Sequence, residues 1–456
     1  MLIPSLPQAQ TPSVKRLIQI WGQRYIPDLS SLSKIEDTVE FRKSLIETAS
    51  IRGRYKTASK ITKNVVVLKC QMASLQTKSL YSYLANVVNL SDARRLSEFA
   101  LLIYLQLAEI YHQLSPTVAD KQKIMYIPRG TDRKGSVASA WANLSMETWG
   151  MPPIEQLAMD LEPLLVEFQQ QHILSKNWRT LGFLTTLLNF CNKLLLQGLS
   201  KPEQVLIYPY FRFVEEQVAL PWQRVCLAAS LHELDSPIFA IVEHCLPQSQ
   251  AIAHQVHNQL IAQLPHHYSR RGLLSDPEVA HSSIRDLQMA QAYFWLSFLE
   301  ESLSPIEDEL VPLFVMVNPA IGVKWELTAL ANRLLFEQIL AILSPPQAEL
   351  VRPYANSFSQ AFTSRQADFE QIVEGVQTEA QARARLSQGI VSQLPQKGRE
   401  SQLQVRAKSQ MPQSLVNRLP QKPEGAAPHP NIAALKAKLA QLESEMLNIR
   451  QQLNDQ

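Results

Sequence analysis

Histidine is the side chain best suited to proton transfer or metal binding near neutral pH. Seven of the ten histidines lie between His232 and His281: His232, His244, His254, His257, His266, His267 and His281. His254 and His257 stand at i, i+3, which puts two imidazoles on one helix face, with Glu243, His244 and Cys245 just upstream as further candidate ligands. Two Glu-x-x-His pairs, Glu109 with His112 and Glu278 with His281, have the form that two helices of a di-iron carboxylate bundle contribute. The pairs lie far apart in sequence, and Glu278 follows Asp276-Pro277, the grammar of a helix start. Arg129–Ser136 (RGTDRKGS) spaces Gly130 and Gly135 as a P-loop does, yet Lys134 precedes the second glycine, where phosphate gripping needs Gly-Lys-Ser/Thr. No Gly-x-Ser-x-Gly elbow occurs, and His232-Glu233 lacks the second histidine of a zincin. The expectation is a non-enzymatic chain with no catalytic residue, no cofactor and no metal. A helical metalloenzyme is the last of three readings.

Charge offers a second kind of site. From Thr48 to Ser91 there is no Asp or Glu, while seven Lys and Arg give +7; Arg383 to Lys422 carries eight basic residues against Glu400, another +7. The remainder then holds −11 of a chain whose net charge is +3. An acidic body with two basic segments points to an anionic partner. If residues from about Arg54 onward form one helix, Lys56, Lys60 and Lys63 share a narrow arc, and Arg52 extends it by a turn. Ala58, Ile61, Val65, Leu68, Met72 and Leu75 then line the opposite side, expected to pack on the body. Arg52, Lys56, Lys60 and Lys63 are the candidate anionic-partner surface. The plainest reading is a solvated face of a core helix; among partners, an acidic protein comes first. A nucleic-acid-associated regulator using segments 52–78 and 383–422 is the alternative, although no recognition motif accompanies the charge.

The elements that must carry these residues read as helices. Glycine is scarce, at 13 against 28 prolines, and Ser-Pro, Lys-Pro and Asp-Pro pairs mark helix starts. Leu96, Phe99, Ile103, Leu107 and Ile110 trace one face of a helix over Leu96–Leu114. In the helix Ile284–Leu303, Tyr293, Phe294, Trp295 and Phe298 with neighbouring leucines cover most of the circumference, which predicts a central core helix. Nowhere does period-two alternation persist, and even Asn64–Leu68 (NVVVL) favours a helix. LSKPEQVLIYPY from Leu199 echoes LSPPQAELVRPY from Leu343, a pattern that a shared helix-start grammar or a helical repeat would produce. The fold class is all-α, an irregular multi-helix bundle or a HEAT-like helical array. The expected regions are 1–120, helical with the basic helix; 121–136, a basic loop; 137–386, the main helical body; 387–430, a disordered Gln/Pro/Lys-rich linker; and 431–456, a coiled-coil helix.

That last segment has the most regular spacing in the chain. Ile432, Leu435, Leu439, Leu442, Met446, Ile449 and Leu453 follow one another at alternating intervals of 3 and 4, the a/d seam of a left-handed coiled coil. In a parallel dimer Lys438 meets Glu443 and Glu445 meets Arg450 of the second copy. Those exposed pairs bias orientation by only a few tenths of a kcal/mol each. Cys70, Cys191, Cys226 and Cys245 lie far apart with no Cys-x-x-Cys, which fits a reducing compartment. The first residues lack the apolar core of a signal peptide, and the longest apolar run, Leu310–Val323, is broken by Pro312, Asn318 and Pro319. The expectation is a cytoplasmic scaffold or adaptor without a transmembrane segment. It self-associates as a parallel coiled coil, a dimer, and binds a protein, acidic in character, through its helical body.

Overall fold

The computed structural model describes residues 11–27, 29, 38–80, 90–113, 119–125, 145–175 and 178–373. The basic segment 383–422, the linker 387–430 and the seam from Ile432 to Leu453 lie outside the described residues, as does RGTDRKGS at Arg129–Ser136. The chain divides into two units, Met1–Gln366 and Ala367–Gln456. Of the second unit, residues 367–373 are described, and they are helical.

The first unit is all-α. In chain order its helices are α1 (Pro12–Gly22), α2 (Val39–Ala49), α3 (Ile51–Lys60), α4 (Lys63–Leu80), α5 (Leu90–His112) and the short α6 (Lys121–Met125). There follow α7 (Ile154–Ser175), α8 (Trp178–Leu196), α9 (Lys201–Ala219), α10 (Trp222–Ala229), α11 (Pro237–Cys245) and α12 (Ser249–Gln263). The series closes with α13 (Pro277–Leu299), α14 (Val311–Ala320), α15 (Trp325–Ala341) and α16 (Pro345–Thr363). A two-residue hairpin, β1 (Tyr268–Ser269) antiparallel to β2 (Gly272–Leu273), stands between α12 and α13, too short to have shown as alternation in the sequence. Helices distant in sequence pack together, α4 on α8, α2 on α9 and α12 on α15. This is the packing of an irregular bundle, because a solenoid repeat touches only its neighbours.

Local rules account for most boundaries. Thr11 caps α1, its Oγ1 accepting from Val14 N at 3.3 Å, with Pro12 in the first turn. The echo around Leu199 and Leu343 is a shared helix start. The backbone N–H of Ser200 donates to Glu203 Oε2 at 2.7 Å, that of Ser344 donates to Gln347 Oε1 at 3.1 Å, and each helix holds an internal proline, Pro209 or Pro353. On α5, Leu96, Ile103, Leu107 and Ile110 are buried as their spacing demands. On α13, Phe294, Trp295 and Phe298 are buried too, with Phe294 set against Phe336 at 4.9 Å and Phe298 against Tyr354 at 5.1 Å. No helix among the described residues is long and apolar enough to cross a membrane.

Candidate functional site

The segment Ile51–Leu80 is two helices rather than one. Ser50 leaves the helical conformation, and its Oγ accepts from Gly53 N at 3.1 Å to start α3. Ile61 departs again, and Thr62 Oγ1 accepts from Val65 N at 3.4 Å at the head of α4. The single arc expected for Lys56, Lys60 and Lys63 is therefore broken at Ile61–Thr62, because a polar cap there competes with continuation of the helix.

The burial of α4 is the reverse of the expected one. Val66, Cys70, Ala73, Ser74 and Thr77 are buried, whereas Leu68, Met72 and Leu75 are 54%, 37% and 67% exposed. Size explains the inversion. The inner stripe is built of small side chains, so α4 packs closely on α8, with Cys70 facing Cys191. Leu68, Met72 and Leu75, at i, i+4 and i+7, form a continuous apolar stripe on the outer face. Lys69 and Lys78 flank it on either side. On α3, Ile51 and Tyr55 add exposed apolar surface beside the exposed Arg52 and Lys56.

Two of the basic residues serve the body instead. Arg54 is buried, donating to the carbonyls of Ala49 at 3.0 Å and Gln113 at 2.8 Å, and to that of Gly150. A guanidinium among carbonyls at the ends of α2 and α5 complements the negative end of each helix. Lys60 Nζ lies 2.7 Å from Glu203 Oε2, and Thr57 Oγ1 donates to the other oxygen at 3.2 Å. Burial pushes the Glu203 carboxyl up, but Lys60 and the donors of Ser200 outweigh it and hold it below its usual range. Lys63 is half-buried in the first turn of α4. Of the four cations singled out in the sequence, Arg52 and Lys56 stand exposed together; Lys60 is tied to α9.

Several of the histidines have structural partners. Glu278 pairs with Lys193, while His281 Nε2 lies 2.7 Å from Glu215 Oε1. His112 Nδ1 lies 3.0 Å from its own helix at Ala108 O, and Glu109 is exposed. His257 Nδ1 meets Ser283 Oγ at 3.0 Å, and burial lowers the pKa of both His254 and His257. His232 Nε2 meets Leu299 O at 2.8 Å. Among the described residues, no three His, Cys, Asp or Glu side chains converge so as to hold a metal. Cys70 and Cys191 face each other with Sγ atoms 3.6 Å apart as free thiols, and burial pushes Cys191 well up.

Two buried polar clusters hold the body. Tyr104 donates to Asn192 Oδ1 at 2.6 Å, and Asn192 Nδ2 donates to Glu215 Oε2 at 3.0 Å, which His281 meets from α13. Glu216 receives Arg212 at 2.7 Å and Arg24 at 3.4 Å, with the Tyr25 hydroxyl donating to it at 2.6 Å. Arg24 also covers the Trp21 ring at 4.0 Å, and Trp21 stacks on Trp222 at 4.3 Å. α1 is thus pinned to α9 and α10. Each acid in these clusters has a committed partner, so neither cluster offers a free base. Among the described residues, α3 and α4 present exposed apolar side chains beside exposed cations, Ile51 and Tyr55 with Arg52 and Lys56, and Leu68 and Leu75 with Lys78. Comparison with protein-family models, with curated proteins and with solved structures finds no match for this chain.

Proposed function

We propose that this chain is a non-enzymatic adaptor of the cytoplasm. Its helical body binds an acidic amphipathic helix of another protein on the outer face of α3 and α4. What supports this reading is the exposed stripe Leu68, Met72 and Leu75, set between Lys69 and Lys78 in a stretch from Thr48 to Ser91 that contains no acid. Magnitudes decide what each part does. Burying a Leu or Met contributes about 1.5–3 kcal/mol, whereas an exposed ion pair contributes at most about 1 kcal/mol. The stripe therefore supplies affinity, and Arg52, Lys56, Lys69 and Lys78 select an acidic partner and speed encounter. Apolar anchors at i, i+4 and i+7 match the anchors of a helix laid alongside.

The second part of the proposal is self-association through Ile432, Leu435, Leu439, Leu442, Met446, Ile449 and Leu453 as a parallel dimer. Two copies held together present two docking faces and raise avidity for a paired target.

Fluorescence anisotropy with a synthetic helix, leucines on one face and glutamates on the other, tests the docking face. The peptide is expected to bind the full chain. Leu68→Asp or Leu75→Asp should weaken it at least tenfold, and a lysine-for-glutamate peptide should not bind. A duplex oligonucleotide that binds instead, with affinity falling steeply between low and moderate salt and unchanged by Leu68→Asp, would replace this reading with the nucleic-acid one.

A further inference from the structure

The hairpin β1–β2 roofs a pocket of about 100 Å³ whose walls come from α12, α13, α14 and α15. The roof is fastened at its far side: Arg270 N donates to Ile321 O at 2.8 Å, in a turn that Gly322 makes with φ +77°. At its near side Leu273 N donates to Asp276 Oδ2 at 2.8 Å, just before α13 begins. Leu274, Leu287, Phe314 and Leu327 make the interior apolar. A closed apolar cavity of about 150 Å³ takes one benzene molecule; this pocket is smaller but opens to solvent, so it suits a short branched chain or a ring that is only partly enclosed.

Three polar side chains among the lining residues have hydrogen-bonding capacity unspent. Asn332 is 7% exposed and lines the pocket, yet its Nδ2 is buried with no hydrogen-bond partner. His267 lines it as well, with Nε2 buried and likewise unpartnered. Leaving such groups unsatisfied costs about 1–3 kcal/mol each, a cost that a ligand acceptor removes. Arg271, half-buried in the hairpin, spends one nitrogen on Ser282 Oγ at 2.9 Å and has no carboxylate partner among the described residues. The one carboxylate lining the pocket, Asp286, lies 3.1 Å from Arg285. Burial and the nearby Lys324 lower the pKa of His267, with Glu326 opposing in part.

From this set we infer that the pocket binds a small carboxylic acid with an apolar body of about one ring. The body lies among Phe314, Leu327 and Leu274, and the carboxylate meets the Arg271 guanidinium, with the Asn332 amide turning into the pocket as a second donor. A cation is disfavoured by Arg271, and a neutral molecule of the same shape leaves the guanidinium unused.

Calorimetric titration of the full chain with benzoate, benzyl alcohol and benzylamine tests the inference. Benzoate should bind at one site per chain, about tenfold or more tighter than benzyl alcohol, with benzylamine weaker still. Arg271→Gln, which keeps a side chain able to donate to Ser282 Oγ, should erase the advantage of benzoate and leave benzyl alcohol and the melting temperature where they were. Asn332→Leu should weaken benzoate while raising the melting temperature, since it removes a buried donor that lacks a partner. Absence of saturable benzoate binding overturns the inference. So does equal affinity for the acid and the alcohol, or benzoate affinity that Arg271→Gln leaves intact.

Discussion

Glu216 shows how one residue holds distant parts of this chain together. Its side chain is 8% exposed, and it takes Arg212 from its own helix and Arg24 from beyond the end of α1. Burial alone would push its carboxyl up; Arg212 and Arg24, with the Tyr25 hydroxyl, overcome that and hold it below its ordinary 4.5. A carboxyl with a depressed folded-state pKa stabilises the fold above its unfolded pKa, and that contribution is lost as pH falls through the depressed value. Glu216→Gln should cost about 3 kcal/mol at pH 7, because it strands the buried Arg24 and the half-buried Arg212. The variant should also flatten the acid branch of the stability curve below pH ~4.5, where the parent still gains from ionisation. Urea unfolding across pH measures both effects. The Glu-x-x-His pairs teach the complementary lesson. Their spacing is real, but it says nothing of what stands opposite, and Lys193 and Glu215 stand opposite Glu278 and His281.

Among the elements, α4 is the most instructive. Its sequence carries two stripes, Val66, Cys70, Ala73 and Thr77 on one side and Leu68, Met72 and Leu75 on the other. Hydrophobicity favours burial of the second; the first is what α8 accepts, since small side chains let the two backbones approach. The inversion is testable by substitution alone. Ala73→Leu should overpack the α4–α8 contact and cost about 1–3 kcal/mol in urea unfolding. Leu75→Gln should change stability by no more than about 0.5 kcal/mol, because the side chain has little to lose, while it weakens the acidic peptide. If Leu75→Gln is the more damaging of the two, the outer face of α4 is covered in solution and the docking proposal falls. Helical spacing alone runs one helix through the break between α3 and α4; Thr62 and Ser50, whose hydroxyls accept from Val65 N and Gly53 N, are the residues that carried the signal it passes over.

For the whole molecule, the proposed division of labour separates a body that recognises from a tail that pairs. Sedimentation of the full chain at micromolar concentration should give a dimer, and Leu439→Asp with Leu442→Asp should give a monomer. The same double substitution should leave the unfolding midpoint of the body in place, as the seam lies outside the unit ending at Gln366. A parent chain that sediments as a monomer removes self-association from the proposal without touching the face on α3 and α4.

The all-α class, the proline-marked helix starts, the central place of Phe294 and Trp295 and the buried face of α5 were all written in residue types and their spacing. Those properties depend on a helix and its own neighbours in the chain, and 3.6-residue periodicity reports them directly. Which stripe of α4 turns inward, which lysine is drawn to Glu203, and that His267, Arg271 and Asn332 line one pocket were decided by packing. Each depends on the shape and charge of a surface folded from residues far away, and no periodicity within a single helix carries that information.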